Sequence, residues 1–230
     1  MIAAAFETST RDASVALSIP SSGGQKILTG TLDEGRAHAS DLLPILASLL
    51  DENGLRAADL DAVLVGIGPG SYTGLRVSVA TALGLSLGEV ESKTPDLLGV
   101  PSCEALLADT LLPGEAGLWL QDARSGGFYI AAASKDTEGL FALTTQPAVV
   151  DLTGVQKFVA DSNGGRLLGD AATAATLQKL GIEAKLELLI PTAAAILRLG
   201  LPRLEACGPT PPGELAPLYL RPFAVKVRKR

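Results

Sequence analysis

Between residues 62 and 88 the chain carries one charge, Arg76. A membrane span needs ~20 consecutive apolar residues, and the length alone would allow one here. The interruptions rule it out. Residues 62–67 are a short, partly β-branched apolar run of buried-strand type, Gly68-Pro69-Gly70-Ser71 is turn chemistry, and residues 73–87 are helix formers closed by Gly88. The pattern predicts strand, tight turn, helix.

Ahead of this unit, residues 2–8 and 14–19 read as strands, 20–24 as a hairpin loop, and 26–32 as a third strand with alternating residues. Residues 38–50 then read as a helix ended by Asn53-Gly54, with Pro44 in its early part. In the second half, 117–123, 128–134 and 140–145 are strand candidates, 152–160 a helix, 166–169 a short strand and 171–180 a helix. A strand over 97–100 with a helix over 102–112 bridges the halves. A late helix over 191–206 precedes a linker-like stretch, 209–212. The order β-β-β-α-β-α thus occurs twice. The expected fold is α/β, two tandem actin-like lobes of the ASKHA, RNase H-like kind, over residues 1–104 and 105–208. Residues 209–230, proline-rich and then basic, are expected to pack back on the first lobe.

Composition narrows the chemistry. The 230 residues are 47 % hydrophobic and 19 % charged with net charge −6, a balance too apolar for intrinsic disorder. Residues 1–7 have no basic region ahead of the apolar stretch, so they read as a first strand of a cytoplasmic protein rather than a signal peptide. His38 is the one histidine and Cys103 and Cys207 the two cysteines. A zinc site needs such ligands clustered, and no metal is expected. Cys103, at a helix start with no histidine nearby in sequence, reads as buried and inert. Residues 1–214 hold 14 of the 19 basic residues and all 25 acids. A body so acidic should repel RNA, which leaves Lys226, Arg228, Lys229 and Arg230 of the tail as the only basic cluster.

The glycine-rich segment from Gly66 to Arg76 is the most distinctive in the chain. Its glycines permit positive φ and close backbone approach, Ser71 or Thr73 can cap the following helix, and a helix N-terminus can hold an anion. A tight structural turn is the equal alternative. No Lys-Ser/Thr pair follows the last glycine, so this is not a Walker A loop. Phosphoryl transfer in this fold needs acids near the strand ends to position magnesium. Glu7, Asp12, Asp122 and Asp170 are the candidates, each reading better as a cap or turn residue. The helices say something else. Leu42, Leu43, Ile45, Leu46, Leu49 and Leu50 cover an arc wider than the ~100° stripe a surface helix buries. The other helix has no charge after Arg76 and has Ala80, Ala82, Gly84 and Ser86 small enough for close approach. A partner subunit is the expected occupant of this surface.

Five strings, Arg36-Ala-His38-Ala-Ser40-Asp-Leu-Leu-Pro44, Gly66-Ile-Gly-Pro-Gly-Ser-Tyr-Thr-Gly-Leu-Arg76, Pro101-Ser-Cys-Glu-Ala105, Asp122-Ala-Arg124 and Pro217-Leu-Tyr-Leu-Arg221, occur in that order over nearly the full length. In this the chain resembles the TsaB (YeaZ) family. The resemblance implies a non-catalytic accessory subunit in the synthesis of threonylcarbamoyladenosine at tRNA position 37, with an actin-like fold that lacks the metal-binding histidines of the catalytic paralogue TsaD. It implies pairing with a TsaD-like catalytic subunit through the first-lobe helices, a TsaE-like ATPase in the assembly, a homodimer when alone, tRNA contact only through the complex and no membrane association. The partner contacts expected on this basis are His38, Leu42, Leu43, Leu46, Leu49, Tyr72, Leu75, Arg76, Val79, Ala80 and Leu83. Candidate nucleotide or anion contacts are Glu7, Thr8, Gly68, Gly70, Ser71 and Thr73. No cofactor is expected to be required by this subunit, with ATP or ADP placed at the interface of the complex. Two departures are mild: Asp41 stands where the family has glutamate, and Ser125-Gly126-Gly127 replaces an arginine-glycine-glutamate, which weakens any polar role for that hairpin. The competing readings are an actin-fold small-molecule kinase or ATPase and a glycoprotease-like metallopeptidase, the latter opposed by the single histidine.

Overall fold

The computed structural model describes residues 1–31, 41–87, 94–124, 126–161 and 165–221. His38, Gly88, Ser125, Lys226, Arg228, Lys229 and Arg230, singled out above, lie outside the described residues.

The first half contains β1 (Ala3–Glu7), β2 (Ser14–Ser21), β3 (Gly24–Thr31), α1 (Leu42–Asp51), β4 (Ala62–Gly68), α2 (Tyr72–Leu87) and β5 (Asp96–Pro101). β1, β2 and β3 form an antiparallel meander, and β4 and β5 add in parallel on the other side of β1, giving the order β3-β2-β1-β4-β5. After α3 (Ser102–Thr110) come β6 (Ala116–Asp122), β7 (Phe128–Lys135), β8 (Phe141–Val150), α4 (Leu152–Ala160), β9 (Arg166–Gly169), α5 (Ala171–Lys179) and β10 (Glu187–Leu188). Their sheet has the order β10-β9-β6-β7-β8, with β6 taking the place of β1 and each later strand following in turn. Two α/β lobes of one actin-like topology are therefore present. β10 was not among the expected strands, because two residues carry no readable period.

β1 is the central strand of its sheet and is buried along its whole length. Its run of alanines suits that place, since side chains on both faces meet helices. On one face Ala4, Phe6, Val63 and Val65 pack with leucines of α1 and with Val79 and Ala82 of α2. The opposite face, with Ala3, Ala5, Ala62 and Leu64, is covered by α6 (Ala193–Cys207). Each large side chain so buried contributes about 1.5–3 kcal/mol. Gly200 lets α6 sit close, since a Cβ there would run into the Leu64 side chain. α6 falls inside the 105–208 stretch expected for the second lobe, yet it packs on the first sheet, against β1, β2, β4 and β5. It also runs beside α3, where Arg198 donates to Asp109 at 2.8 Å and Arg203 pairs with Glu104.

α3 covers one face of the second sheet through Leu106, Leu107 and Leu111 against Trp119, Ala131 and Leu168. α4 and α5 cover the other through Val155 and Leu177 against Leu120, Phe128 and Ile130. Asp151, Asp170 and Thr192 cap α4, α5 and α6 with side-chain oxygens that accept from backbone N–H groups. Beyond α6 the chain returns to the first sheet. The Thr210 N–H donates to the Leu97 carbonyl at 2.7 Å, Leu215 enters the core, and the Leu218 N–H donates to the Ile67 carbonyl at 2.7 Å.

Candidate functional site

The apolar arc expected to meet a partner divides in two. Leu42, Leu46, Leu49 and Leu50 of α1, and Leu75, Val79 and Ala82 of α2, are buried within the chain's own core. Leu42, Leu46, Leu49, Leu75 and Val79, expected to face a partner, thus face the chain's own sheet in this structure. The reason lies in the sheet beneath them: Ala4 is small and Gly30 receives Ile45 directly, so the helices sink far enough for one sheet to absorb most of the arc. What faces outward is narrower. On α1 it is Leu43, 48 % exposed, with Pro44 and Ala47 beside it. On α2 Tyr72, Arg76, Ala80, Gly84 and Leu87 are exposed, with Leu83 half-buried, a stripe at three- and four-residue spacing that ends on Leu87 at 76 % exposure. Tyr72 begins the stripe, 41 % exposed. Arg76 lies over its ring, 5.3 Å from the centroid, and donates from Nη1 to its hydroxyl at 2.9 Å. Tyr219 of the returning segment packs against Tyr72 as well, the ring centroids 5.3 Å apart.

The glycine loop is occupied by its own chain. A Cβ at Gly66 would meet the Glu7 carboxylate, one at Gly70 the Ser9 carbonyl oxygen, and one at Gly74 the Thr8 carbonyl oxygen. These glycines thus let the end of β1 lie backbone on backbone against the start of α2. The Ser71 N–H donates to the Ser9 carbonyl at 2.7 Å and the Gly68 N–H to Ser102 Oγ at 3.1 Å. Ser71 Oγ accepts from the Gly74 N–H at 3.3 Å, which makes Ser71 the cap of α2. Thr8 is buried and donates to Ser78 Oγ at 2.9 Å. Glu7 is buried completely. Neither side chain is open to a nucleotide. Of the candidate anion contacts only Ser71 and Thr73 expose side chains, with Gly68 buried and Gly70 partly so.

Glu7 Oε1 accepts from the Ser9 N–H at 2.6 Å, while Oε2 lacks a hydrogen-bond partner. Burial pushes this carboxyl above its ordinary value, and the adjacent Ser9 and Ser102 hydroxyls offset that only in part. Folding therefore favours the neutral acid. A raised folded-state pKa contributes stability below the unfolded value of the carboxyl and loses it as pH rises. Glu7→Gln is accordingly expected to raise Tm by roughly a few degrees at pH 7–8. The gain should shrink toward pH 4 in calorimetric scans. An equal effect at both pH values would mean that folding leaves the carboxyl's pKa unshifted. Burial likewise pushes the Cys103 thiol up, so the protonated, unreactive form prevails.

Two of the remaining acid candidates hold structural hydrogen bonds. Asp122 Oδ1 accepts from the Arg124 N–H at 2.7 Å and Oδ2 from Thr176 Oγ1 at 2.9 Å, Asp170 caps α5, and Asp12 is exposed. Among the described residues no group of three or more His, Cys, Asp or Glu side chains is placed to hold a metal ion. No described helix is long and apolar enough to cross a membrane.

Comparison with known proteins settles the family. The family described as "TsaD: tRNA N6-adenosine threonylcarbamoyltransferase" matches residues 33–167, more than half of the chain. A protein named tRNA threonylcarbamoyladenosine biosynthesis protein TsaB, from Escherichia coli (strain K12), is 29 % identical over 206 residues, 81 % of this chain and 81 % of its own length. The chain belongs to the TsaD family, in its TsaB (YeaZ) branch. The TsaB protein of Haemophilus influenzae is 39 % identical over 84 residues, 36 % of this chain and 34 % of its own. A solved structure described as similar to peptidase YEAZ from Pseudomonas aeruginosa superposes with TM-score 0.76 at 25 % identity, covering 96 % of this chain and 99 % of the other. YeaZ from Pseudomonas aeruginosa has the same fold, with TM-score 0.74 at 23 % identity over 95 % and 99 % of the two chains.

In this TsaB-branch chain the Pro217-Leu-Tyr-Leu-Arg221 string, part of the segment expected on the first lobe, carries two residues that were not among the expected contacts. Tyr219 completes the aromatic end of the exposed stripe, and Arg221 reaches the hairpin between β6 and β7. The one available signal was composition: aromatic residues are 4 % of the chain, so a tyrosine two residues before an arginine in a proline-rich stretch stands out.

Proposed function

We propose that the chain is a non-catalytic subunit in tRNA threonylcarbamoyladenosine biosynthesis, and that it acts by docking a TsaD-like catalytic subunit on the outward stripe of α1 and α2. The observation that carries this reading is the stripe itself: Leu43, Tyr72, Ala80 and Leu87 are exposed on helices whose other faces are already filled. Exposed apolar residues grouped on one face suit a partner surface. Arg76 and Leu83 complete the contact set, and His38 belongs to it by resemblance. Support for inactivity comes from the Glu7 carboxyl, buried completely where a nucleotide-processing fold would present an open acid.

The same stripe is the surface on which a second copy would pair when the catalytic subunit is absent. A TsaE-like ATPase joins the assembly, and any ATP or ADP sits at the subunit interface near Ser71 and Thr73. With residues 1–214 so acidic, tRNA is held through the complex. Co-expression with a TsaD-like subunit from the same genome, followed by size-exclusion chromatography, is expected to give one co-eluting species. The chain alone with magnesium and ATP should release no phosphate above the buffer blank. Turnover by the chain alone that disappears in Asp122→Ala would restore the small-molecule kinase or ATPase reading.

A further inference from the structure

The segment after α6 touches three parts of the molecule in twelve residues. It begins on the edge strand β5, where the Thr210 N–H donates to Leu97 and Thr210 Oγ1 accepts from the Gly99 N–H at 3.4 Å. It crosses the glycine loop, where Leu218 is bonded to Ile67, and places Tyr219 on Tyr72. It ends on the second lobe. Arg221 Nη1 donates to the Arg124 carbonyl at 2.8 Å and to the Ala123 carbonyl at 3.3 Å.

The receiving hairpin is shaped for this arginine. A Cβ at Gly127 would collide with the Arg221 guanidinium, so the glycine leaves the space that the guanidinium fills. Arg124 holds φ +60°, a left-handed conformation uncommon for a residue with a side chain. Its carbonyl accepts from both the Gly127 N–H and Arg221. A charged donor therefore supports a turn that is otherwise costly. The Ser125-Gly126-Gly127 departure from the family pattern has a structural meaning here: Gly127 makes room for Arg221.

We infer that residues 210–221 form a strap coupling the two lobes, with Arg221 as its latch on the β6–β7 hairpin and the Tyr72–Tyr219 pair as its end on the exposed stripe. Release of the latch loosens Tyr219 and removes the aromatic corner of that stripe. Loss of Tyr219 loosens the hairpin in turn, because coupling between two sites is reciprocal. The effect on partner assembly rests on the docking reading given above, whereas the coupling itself is a property of the chain alone.

Hydrogen exchange on the isolated chain tests the coupling. In Arg221→Ala, exchange in peptides covering 123–130 and 215–221 should accelerate roughly tenfold, since a hydrogen bond to a charged group is worth that much or more, while β1 and β4 stay protected. Gly127→Ala displaces the same guanidinium without touching the strap and should reproduce the pattern. Tyr219→Ala should accelerate the hairpin. A hairpin that loosens in Arg221→Ala while 215–221 is unchanged, or that ignores Tyr219→Ala, overturns the strap. Assembly separates the two ideas. Arg221→Ala should weaken capture of the TsaD-like subunit several-fold. If Ala80→Arg assembles normally, the docking reading fails while the exchange result stands; if Ala80→Arg blocks assembly and the exchange pattern is absent, the strap fails alone.

Discussion

Leu46→Asp is expected to unfold the chain, and Ala80→Arg to leave it folded but unable to assemble. Both residues lie on helices of the first sheet's outer face, yet Leu46 is 2 % exposed among Phe6, Val15 and Leu42, and Ala80 faces outward. An aspartate at 46 would be buried with no cation in that apolar cluster. An uncompensated buried charge costs about 3–5 kcal/mol, a large part of the ~5–15 kcal/mol that holds a domain together. Circular dichroism should show a melted or strongly destabilised chain. Arginine at 80 would stand on the exposed face of α2, one turn from Arg76, so Tm should stay within a degree or two, as for other surface changes of roughly ±0.5 kcal/mol. Docking would then bury a guanidinium against apolar residues, and co-elution with the catalytic partner should disappear. Normal co-elution of Ala80→Arg would move the interface off this stripe.

Gly74→Ala should destabilise, and Gly84→Ala should do the reverse. Both positions are in α2, and helix propensity alone favours alanine by about 1 kcal/mol at each. Their surroundings decide the sign. A methyl at 74 falls on the Thr8 carbonyl oxygen, which is main chain at the end of the central strand and has no flexible end to swing aside. The start of α2 must move outward, straining the Ser71 to Ser9 bond and the Thr8 to Ser78 bond. Overpacking of this kind costs about 1–3 kcal/mol, occasionally more, and outweighs the propensity gain. A fall in Tm of roughly 5 °C is expected for a chain of this size. A Cβ at Gly84 would meet no atom of the described residues within 4 Å beyond its own stretch of helix. There the propensity gain should appear as a Tm higher by about 2–4 °C. A stable Gly74→Ala would show that the end of β1 and the start of α2 can separate freely.

The strands and helices were readable in the sequence because period and punctuation agree: Ala62–Gly68 is an apolar run, the glycines and Pro69 interrupt it, and Tyr72–Leu87 has no breaker until Gly88. The repeated order of elements gave the two lobes. Chain order could not place α6, since helices seek whichever apolar face is uncovered, and the back of the first sheet is far away in sequence. The leucines of α1 could be counted, but their depth depends on what lies beneath, and Ala4 and Gly30 on that face make room for them. The glycine loop was legible as a close approach of backbone to something. Only packing reveals that the something is residues 7–9, because a carbonyl and a phosphate oxygen ask for the same missing Cβ.

The crossing of α6 to the first sheet also governs the order in which the molecule can be made. Ala3, Ala5, Ala62 and Leu64 wait for Ala195, Ile196 and Leu197, which leave the ribosome long after the first sheet's strands. Until then the nascent first lobe presents one bare apolar face, and a polypeptide ending near residue 104 would keep that face for good. Such a fragment is a substrate for chaperones and aggregation rather than a folding unit. The N-terminal half, for all its resemblance to a self-contained lobe, therefore becomes native only after α6 has emerged and packed on it.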